Sequence, residues 1–201
     1  MIWRDGTLVS PGQGGVYGER MRGGYRVWDP RRSKLAALAH LDPAFDLEAG
    51  LRVLYLGAAN GTTVSHVADY AEVVYAVEFA PRPMQDLLAV ARRRPNIIPI
   101  LADANRPEQY AHLLEPVELL VQDVAQPHQA AIAVRNRPFL VPGGRLILML
   151  KVRSIEQGRP LEEVGAEAMA ALEVGGYAVE SSRPLLPYHR DHLAILATRR
   201  N

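Results

Sequence analysis

Cysteine is absent from this 201-residue chain, which excludes disulfide bridges, thiolate metal sites and a cysteine nucleophile. Long apolar runs are absent too. Stretches such as Leu146-Ile147-Leu148-Met149-Leu150 are strand-sized, far short of the ~20 residues that cross a bilayer, so no membrane partner is expected. The opening Met1-Ile2-Trp3-Arg4-Asp5-Gly6 lacks the apolar stretch of a secretory signal, and the cytoplasm is the expected location. Excess charge is missing: the formal net charge is +1, so no bulk attraction to nucleic acid is implied and local distribution must carry any such binding. Lysine is nearly absent. The 23 basic residues comprise 21 arginines and only Lys34 and Lys151. A solvated surface charge tolerates arginine; a site needing a compact ammonium, or an amine that can lose its proton, does not.

What is present is an ordinary globular composition, 48% hydrophobic and 22% charged, with ample apolar surface to bury. The length suggests one main domain with a small appendage. Residues 1–50 read as a β-rich appendage and linking helix, and residues 51–201 as the main domain. In the appendage, short apolar pieces at residues 2–3, 7–9, 16–17 and 25–28 are punctuated by glycine and read as strands; residues 33–40 read as a short helix. From residue 51, strand-like runs at 52–56, 73–77, 97–101, 117–121, 145–150, 177–181 and 193–197 alternate with helical spacing at 62–70, 82–94, 107–114, 127–140 and 160–174. Continuous apolar strands alternating with helices indicate an α/β, Rossmann-like, mostly parallel sheet covered on both faces. No helix separates the sixth and seventh strands, so the last is expected to be antiparallel. Seven strands ending in a hairpin is the class I methyltransferase arrangement.

Ligands of such sheets sit at the carboxyl ends of the strands. There the first strand runs into Gly57-Ala58-Ala59-Asn60-Gly61-Thr62-Thr63, whose small side chains let a ligand approach the backbone. Glu78 follows the second strand, and a carboxylate there can accept both ribose hydroxyls of an adenosine ligand. These features alone fit either a dinucleotide or S-adenosyl-L-methionine, although the spacing of a pyrophosphate loop is missing. The third strand ends in Asp103-Ala104, an acid suited to an adenine amine, with Asn105 expected to cap the next helix and leave Asp103 free. The fourth ends in Asp123-Val124-Ala125-Gln126-Pro127 and the fifth in Lys151. An ammonium beside five apolar residues is costly unless paired or functional.

The run Leu54-Tyr55-Leu56-Gly57-Ala58-Ala59-Asn60-Gly61-Thr62-Thr63-Val64-Ser65-His66-Val67 resembles the signature of the fibrillarin family, in its archaeal form without an arginine–glycine tail. Tyr75-Ala76-Val77-Glu78-Phe79, Arg93-Arg94-Pro95-Asn96-Ile97-Ile98-Pro99, Trp28-Asp29-Pro30-Arg31-Arg32-Ser33-Lys34 and Tyr188-His189-Arg190-Asp191-His192 are similar to it as well. His189 stands where glutamate is common, and the loop after Lys151 is expected to be short.

The resemblance implies an S-adenosyl-L-methionine-dependent RNA ribose 2′-O-methyltransferase working inside a box C/D guide ribonucleoprotein. It implies a tetrad of Lys34, Asp123, Lys151 and His192, two of whose members are the two lysines. It implies cofactor contacts at Gly57, Ala58, Thr62, Thr63, Glu78, Phe79, Asp103, Ala104, Asp123, Val124, Ala125 and Gln126. Its implied partners are guide and target RNA, a Nop-domain scaffold and a kink-turn-binding ribosomal-type protein. At Lys151 a neutral amine can take the 2′-OH proton, whereas a charged one can stabilise the developing alkoxide; both roles stay open. His192 can instead be a satisfied histidine at a strand start, and Asp123 a helix cap. A small-molecule methyltransferase and a non-catalytic subunit of an RNA–protein particle are the other function classes.

Overall fold

The structure is a computed structural model that describes residues 1–154 and 158–201. The loop expected after Lys151 runs through residues 155–157, outside the described residues.

Four short strands, β1 (Ile2–Arg4), β2 (Thr7–Ser10), β3 (Met21–Arg22) and β4 (Tyr25–Val27), form an antiparallel sheet in the order β1-β2-β4-β3. The strand expected at residues 16–17 does not form. There the Val16 and Tyr17 backbone N–H groups donate to the Glu19 carboxylate at 2.9 Å, a turn that takes the donors a ladder would need. Helix α1 (Lys34–Leu41) follows, with the Ser33 side chain accepting from the Ala36 N–H at its start.

The main sheet has seven strands: β5 (Arg52–Leu56), β6 (Val73–Glu78), β7 (Ile97–Leu101), β8 (Val117–Gln122), β9 (Leu140–Lys151), β10 (Tyr177–Pro184) and β11 (His192–Arg199). Their order is β10-β11-β9-β8-β5-β6-β7, and β11 runs antiparallel to both of its neighbours, as the missing helix requires. Strand alternation splits the core in two. Val53, Tyr55, Leu119, Val121, Ile147 and Met149 pack on one face with α1, α2 (Thr62–Val67) and α3 (Pro81–Ala91). Leu54, Leu56, Leu120, Leu146, Leu148 and Leu150 pack on the other with α4 (Gln129–Asn136) and α5 (Leu161–Val174). Both faces are covered, which is why the strands read as continuous apolar runs.

Two expected helices are interrupted. Residues 107–114 form two 3-10 turns, Pro107–Gln109 and Ala111–Leu113, joined at the buried Tyr110. The helix expected over residues 127–140 is α4 followed by a 3-10 turn, Arg137–Phe139, because Pro138 cannot donate its N–H to a continuing helix.

The small sheet is fastened to the main domain by buried charge. The Arg26 side chain is fully buried; it pairs with Glu19, with Asp69 at 2.7 Å, and with the Ser65 carbonyl and hydroxyl at 2.9 and 2.7 Å. Arg94 donates to the other Asp69 oxygen at 2.7 Å. Ser10 gives its hydroxyl proton to Asp69 at 2.6 Å, so it accepts from His66 Nδ1 at 2.8 Å, which leaves His66 Nε2 to accept from the Tyr17 hydroxyl at 2.6 Å. Trp28 stacks on the same ring, centroids 5.0 Å apart. Burial, assisted by the Arg26 charge, lowers the His66 pKa to about 2.

His66 is therefore neutral when folded, whereas the unfolded chain takes up a proton near the ordinary 6.5. The stability this site contributes is complete above that pH and is lost progressively as pH falls from 6.5 toward 2. At about pH 4.5 the loss should be roughly 2–3 kcal/mol. Urea denaturation of the chain and of His66→Gln at neutral and acid pH checks this: the variant should show an acid loss smaller by that amount, and an equal loss would remove the assignment.

Candidate functional site

Strand order places β5 beside β6 on one side and β8 on the other, so the chain reverses its winding at the carboxyl ends of β5 and β8, where such sheets open a crevice. The two ends are pinned together. The Asp123 N–H donates to the Leu56 carbonyl at 2.8 Å, and the Gly57 and Ala58 N–H groups both donate to the Val77 carbonyl. Gly57 adopts φ +82°, and a Cβ there would stand 2.3 Å from the Asp123 carbonyl oxygen, so only glycine fits.

A cleft of about 330 Å³ opens over this junction. Of the residues expected to hold a cofactor, Gly57, Glu78, Phe79, Ala104, Asp123, Val124, Ala125 and Gln126 line it. Glu78 is oriented by the backbone: its two carboxylate oxygens accept from the Ala59 and Ala80 N–H groups, each at 2.8 Å, and each oxygen keeps a further acceptor site. Phe79 stands 66% exposed on the wall. Ala59, Val77, Ala80 and Ala102 complete the lining: Ala59 and Val77 stand inside the quoted motifs but were not named as contacts, and Ala80 and Ala102 are small neighbours of Phe79 and Asp103. Small walls and an aimed carboxylate suit a nucleoside.

Four expected contacts lie elsewhere. Ala58 is buried beneath the loop. Thr63 donates to the Ser33 hydroxyl at 3.1 Å and so braces the start of α1. Thr62 faces a second groove, beside Asn60. Asp103 sits between the lining residues Ala102 and Ala104; its Oδ1 accepts from the Asn105 backbone and side-chain N–H groups at 2.9 and 3.2 Å, whereas its Oδ2 has no hydrogen bond among the described residues and keeps its acceptor sites for a ligand. Asn105 does not cap the following turn, whose first flanking residue is Arg106, because its Oδ1 accepts instead from the Arg135 guanidinium at 3.0 Å while its NH2 donates to Asp103 and Gln126.

Lys34, the first residue of α1, places its ammonium against both Asp123 oxygens at 2.8 and 2.7 Å. Each side chain is about one-fifth exposed. Asp123 does not cap α4, whose flanking residue is His128. Lys151, the last residue of β9, is the cross-strand partner of His192, the first of β11, and its ammonium makes no ion pair among the described residues. Two pairs, Lys34 with Asp123 and Lys151 with His192, thus share one edge of the sheet. Burial holds the His192 pKa below its ordinary value, the Lys34 charge acts in the same sense, and the Arg190 carbonyl and Asp123 oppose them. His192 Nδ1 lies 2.6 Å from the Arg190 carbonyl, which can only accept, so the ring proton is on Nδ1 and Nε2 is left as an acceptor.

Gln129 was not legible as a site residue. It is 1% exposed, and its side-chain amide brackets the Lys151 backbone, donating to the carbonyl at 3.0 Å and accepting from the N–H at 2.9 Å. The β8–β9 ladder ends at Leu148, and this side chain takes over where the ladder stops.

Residues 7–201 match the family model for fibrillarin. The chain belongs to the fibrillarin family. A fibrillarin-like rRNA/tRNA 2′-O-methyltransferase of Methanoculleus marisnigri is 63% identical over 200 residues, covering 100% of both chains. The Aeropyrum pernix fibrillarin, solved with natively bound S-adenosyl-L-methionine, is 47% identical with a TM-score of 0.82, covering 94% of this chain and 85% of that one. A fibrillarin solved in complex with Nop5p is 42% identical with a TM-score of 0.90, covering 98% and 95%. The expectation of a fibrillarin fold is borne out, terminal antiparallel strand included.

Gln129→Leu keeps the volume but leaves the Lys151 N–H and carbonyl unpaired. Each orphaned group is part-buried, so each should cost at most about 1–3 kcal/mol. The urea midpoint measures the loss, and an unchanged midpoint would show that Gln129 does not hold the end of β9.

Proposed function

We propose that this fibrillarin is the catalytic subunit of a box C/D guide ribonucleoprotein and transfers a methyl group from S-adenosyl-L-methionine to the 2′-oxygen of a target ribose in rRNA and tRNA. The observation that carries the reading is the double duty of Asp123: the same carboxylate lines the cleft and receives the Lys34 ammonium. Donor binding and proton handling therefore meet at one side chain.

Glu78 would hold the ribose hydroxyls of the donor, Asp103 and Ala104 its adenine, and Gly57 and residues 123–126 the walls around it. S-adenosyl-L-methionine, when bound, supplies a methyl already activated by its positive sulfur, so the protein must position the nucleophile and manage its proton. Asp123 holds Lys34 and fixes negative charge beside the cleft. Lys151, at the neighbouring strand end and without an ion pair among the described residues, is the group to meet the 2′-oxygen, as base or as a stabiliser of the alkoxide. His192, with Nε2 available, is placed to receive or relay the released proton.

Target choice is borrowed. Guide RNA pairing would select the nucleotide, while a Nop-domain scaffold and a kink-turn-binding ribosomal-type protein would bring the enzyme to it. A fibrillarin 42% identical to this chain is solved with Nop5p, which supports the scaffold. No helix among the described residues is long and apolar enough to cross a membrane, which accords with a cytoplasmic particle. A non-catalytic subunit would not need the only two lysines at this edge, and a small-molecule enzyme would need a lid that the described residues do not supply.

Lys34→Arg and Lys151→Arg should each lower methyl transfer at least about 100-fold while S-adenosyl-L-methionine still binds. A tritiated methyl-transfer assay with the reconstituted guide particle, paired with calorimetry of the cofactor, measures both. Undiminished turnover in either variant removes that lysine from the reaction.

A further inference from the structure

The three consecutive arginines at the end of α3 do not act together. Arg94 is turned inward to Asp69 and is 12% exposed on its side chain. Arg92 and Arg93 remain exposed, and with Arg32 and Asn60 they line a polar groove of about 570 Å³ between the N-terminal segment, the β5–α2 loop and α3. Arg32 is preset by its neighbour, its guanidinium 4.5 Å over the Tyr17 ring centroid. Arg93 is tethered to the Gly15 carbonyl at 3.0 Å. Arg92 makes no ion pair among the described residues. Among the described residues, Asp86 is the single acid of the lining.

Position gives this patch its meaning. Asn60 and Thr62 of the groove continue directly from Gly57 and Ala59 of the cofactor cleft, so the β5–α2 loop has the cleft on one side and the groove on the other. Arg32 lies two residues before Lys34. A chain whose ribose is presented at the Lys34–Asp123 pair and which leaves along this loop meets the three guanidiniums in succession. Among the described residues Tyr17 is the one aromatic of the lining, and the Arg32 guanidinium covers its ring, so no open stacking face accompanies the arginines. Guanidiniums without such readers contact phosphate and carry no sequence information.

We propose that this groove binds the sugar–phosphate backbone of the target strand beside the methylated ribose, through Arg32, Arg92 and Arg93, and sets its path without reading its sequence. The proposal rests on the RNA-methylating reading of the cleft. An acidic protein segment is the other occupant such a groove would accept, and competition by oligoglutamate distinguishes it.

The test uses the full chain saturated with S-adenosyl-L-methionine and a short oligouridylate labelled for fluorescence anisotropy, titrated between about 50 and 200 mM salt. Each phosphate contact on a single strand adds about 0.7 to the slope of log K against log salt. Arg32→Ala, Arg92→Ala and Arg93→Ala should each lower that slope by about this amount and weaken binding. Arg32→Lys and Arg92→Lys should retain most of the slope, and Asp86→Asn should strengthen binding. Arg183→Ala, on the far strand β10, is the control and should change nothing. In the reconstituted particle the alanine variants should raise KM for the target RNA with kcat held. No binding by the unaltered chain, slopes that ignore the groove arginines, losses equal to that of Arg183→Ala, or an oligoglutamate that competes as well as the RNA would each overturn the proposal. Cofactor calorimetry keeps the two readings apart: loss of cofactor binding by the unaltered chain would sink the proposed function, whereas intact cofactor binding with indifferent groove variants sinks only the groove.

Discussion

A single ammonium–carboxylate contact joins the two halves of the site. Lys34 belongs to the helix that leads out of the small N-terminal sheet, and Asp123 belongs to the central strand end of the large one. Neither charge is fully buried, so the contact contributes orientation more than stability. What it requires is that α1 be presented at a fixed height over the sheet. Much of the N-terminal architecture serves that end: Ser33 starts the helix, Thr63 braces Ser33, and His189 holds the Pro30 carbonyl at 2.8 Å just upstream. The buried Arg26 cluster then fastens the small sheet beneath α2, so the appendage cannot drift without uncovering charge.

The sequence made the scaffold legible because its signals are local. Continuous apolar runs marked the buried parallel strands, and the missing helix before β11 marked the reversal. Failures came where a side chain competed with the backbone. Glu19 takes the N–H groups that residues 16–17 would have given to a strand, and Pro138 closes a helix that the spacing alone would continue. Neither outcome follows from apolar periodicity, because each depends on one polar or cyclic residue overriding its window.

The site was legible only in part, for a related reason. Residues at strand ends could be named from the motif order, and most of them do line the cleft. Lysine scarcity pointed to Lys34 and Lys151, and the structure puts one against Asp123 and the other beside His192. Gln129 left no trace. An amide inside an amphipathic helix reads as a solvated position, and only the folded packing of α4 on β9 turns it inward to the Lys151 backbone. Thr63 shows the opposite case, a motif residue whose hydroxyl is spent on another helix.

The direction of β11 has a geometric consequence. A parallel insertion between β9 and β10 would set its last residue beside Lys151 and leave its leading turn at the opposite rim. Running backwards, the strand instead begins there, so an arriving loop and a departing strand present side chains to the same solvent-facing corner. Residue 201 accordingly emerges at the other rim. A purification handle or fluorophore appended at that residue would hang clear of the reaction chamber, whereas one inserted at 185–191 would sit in its doorway.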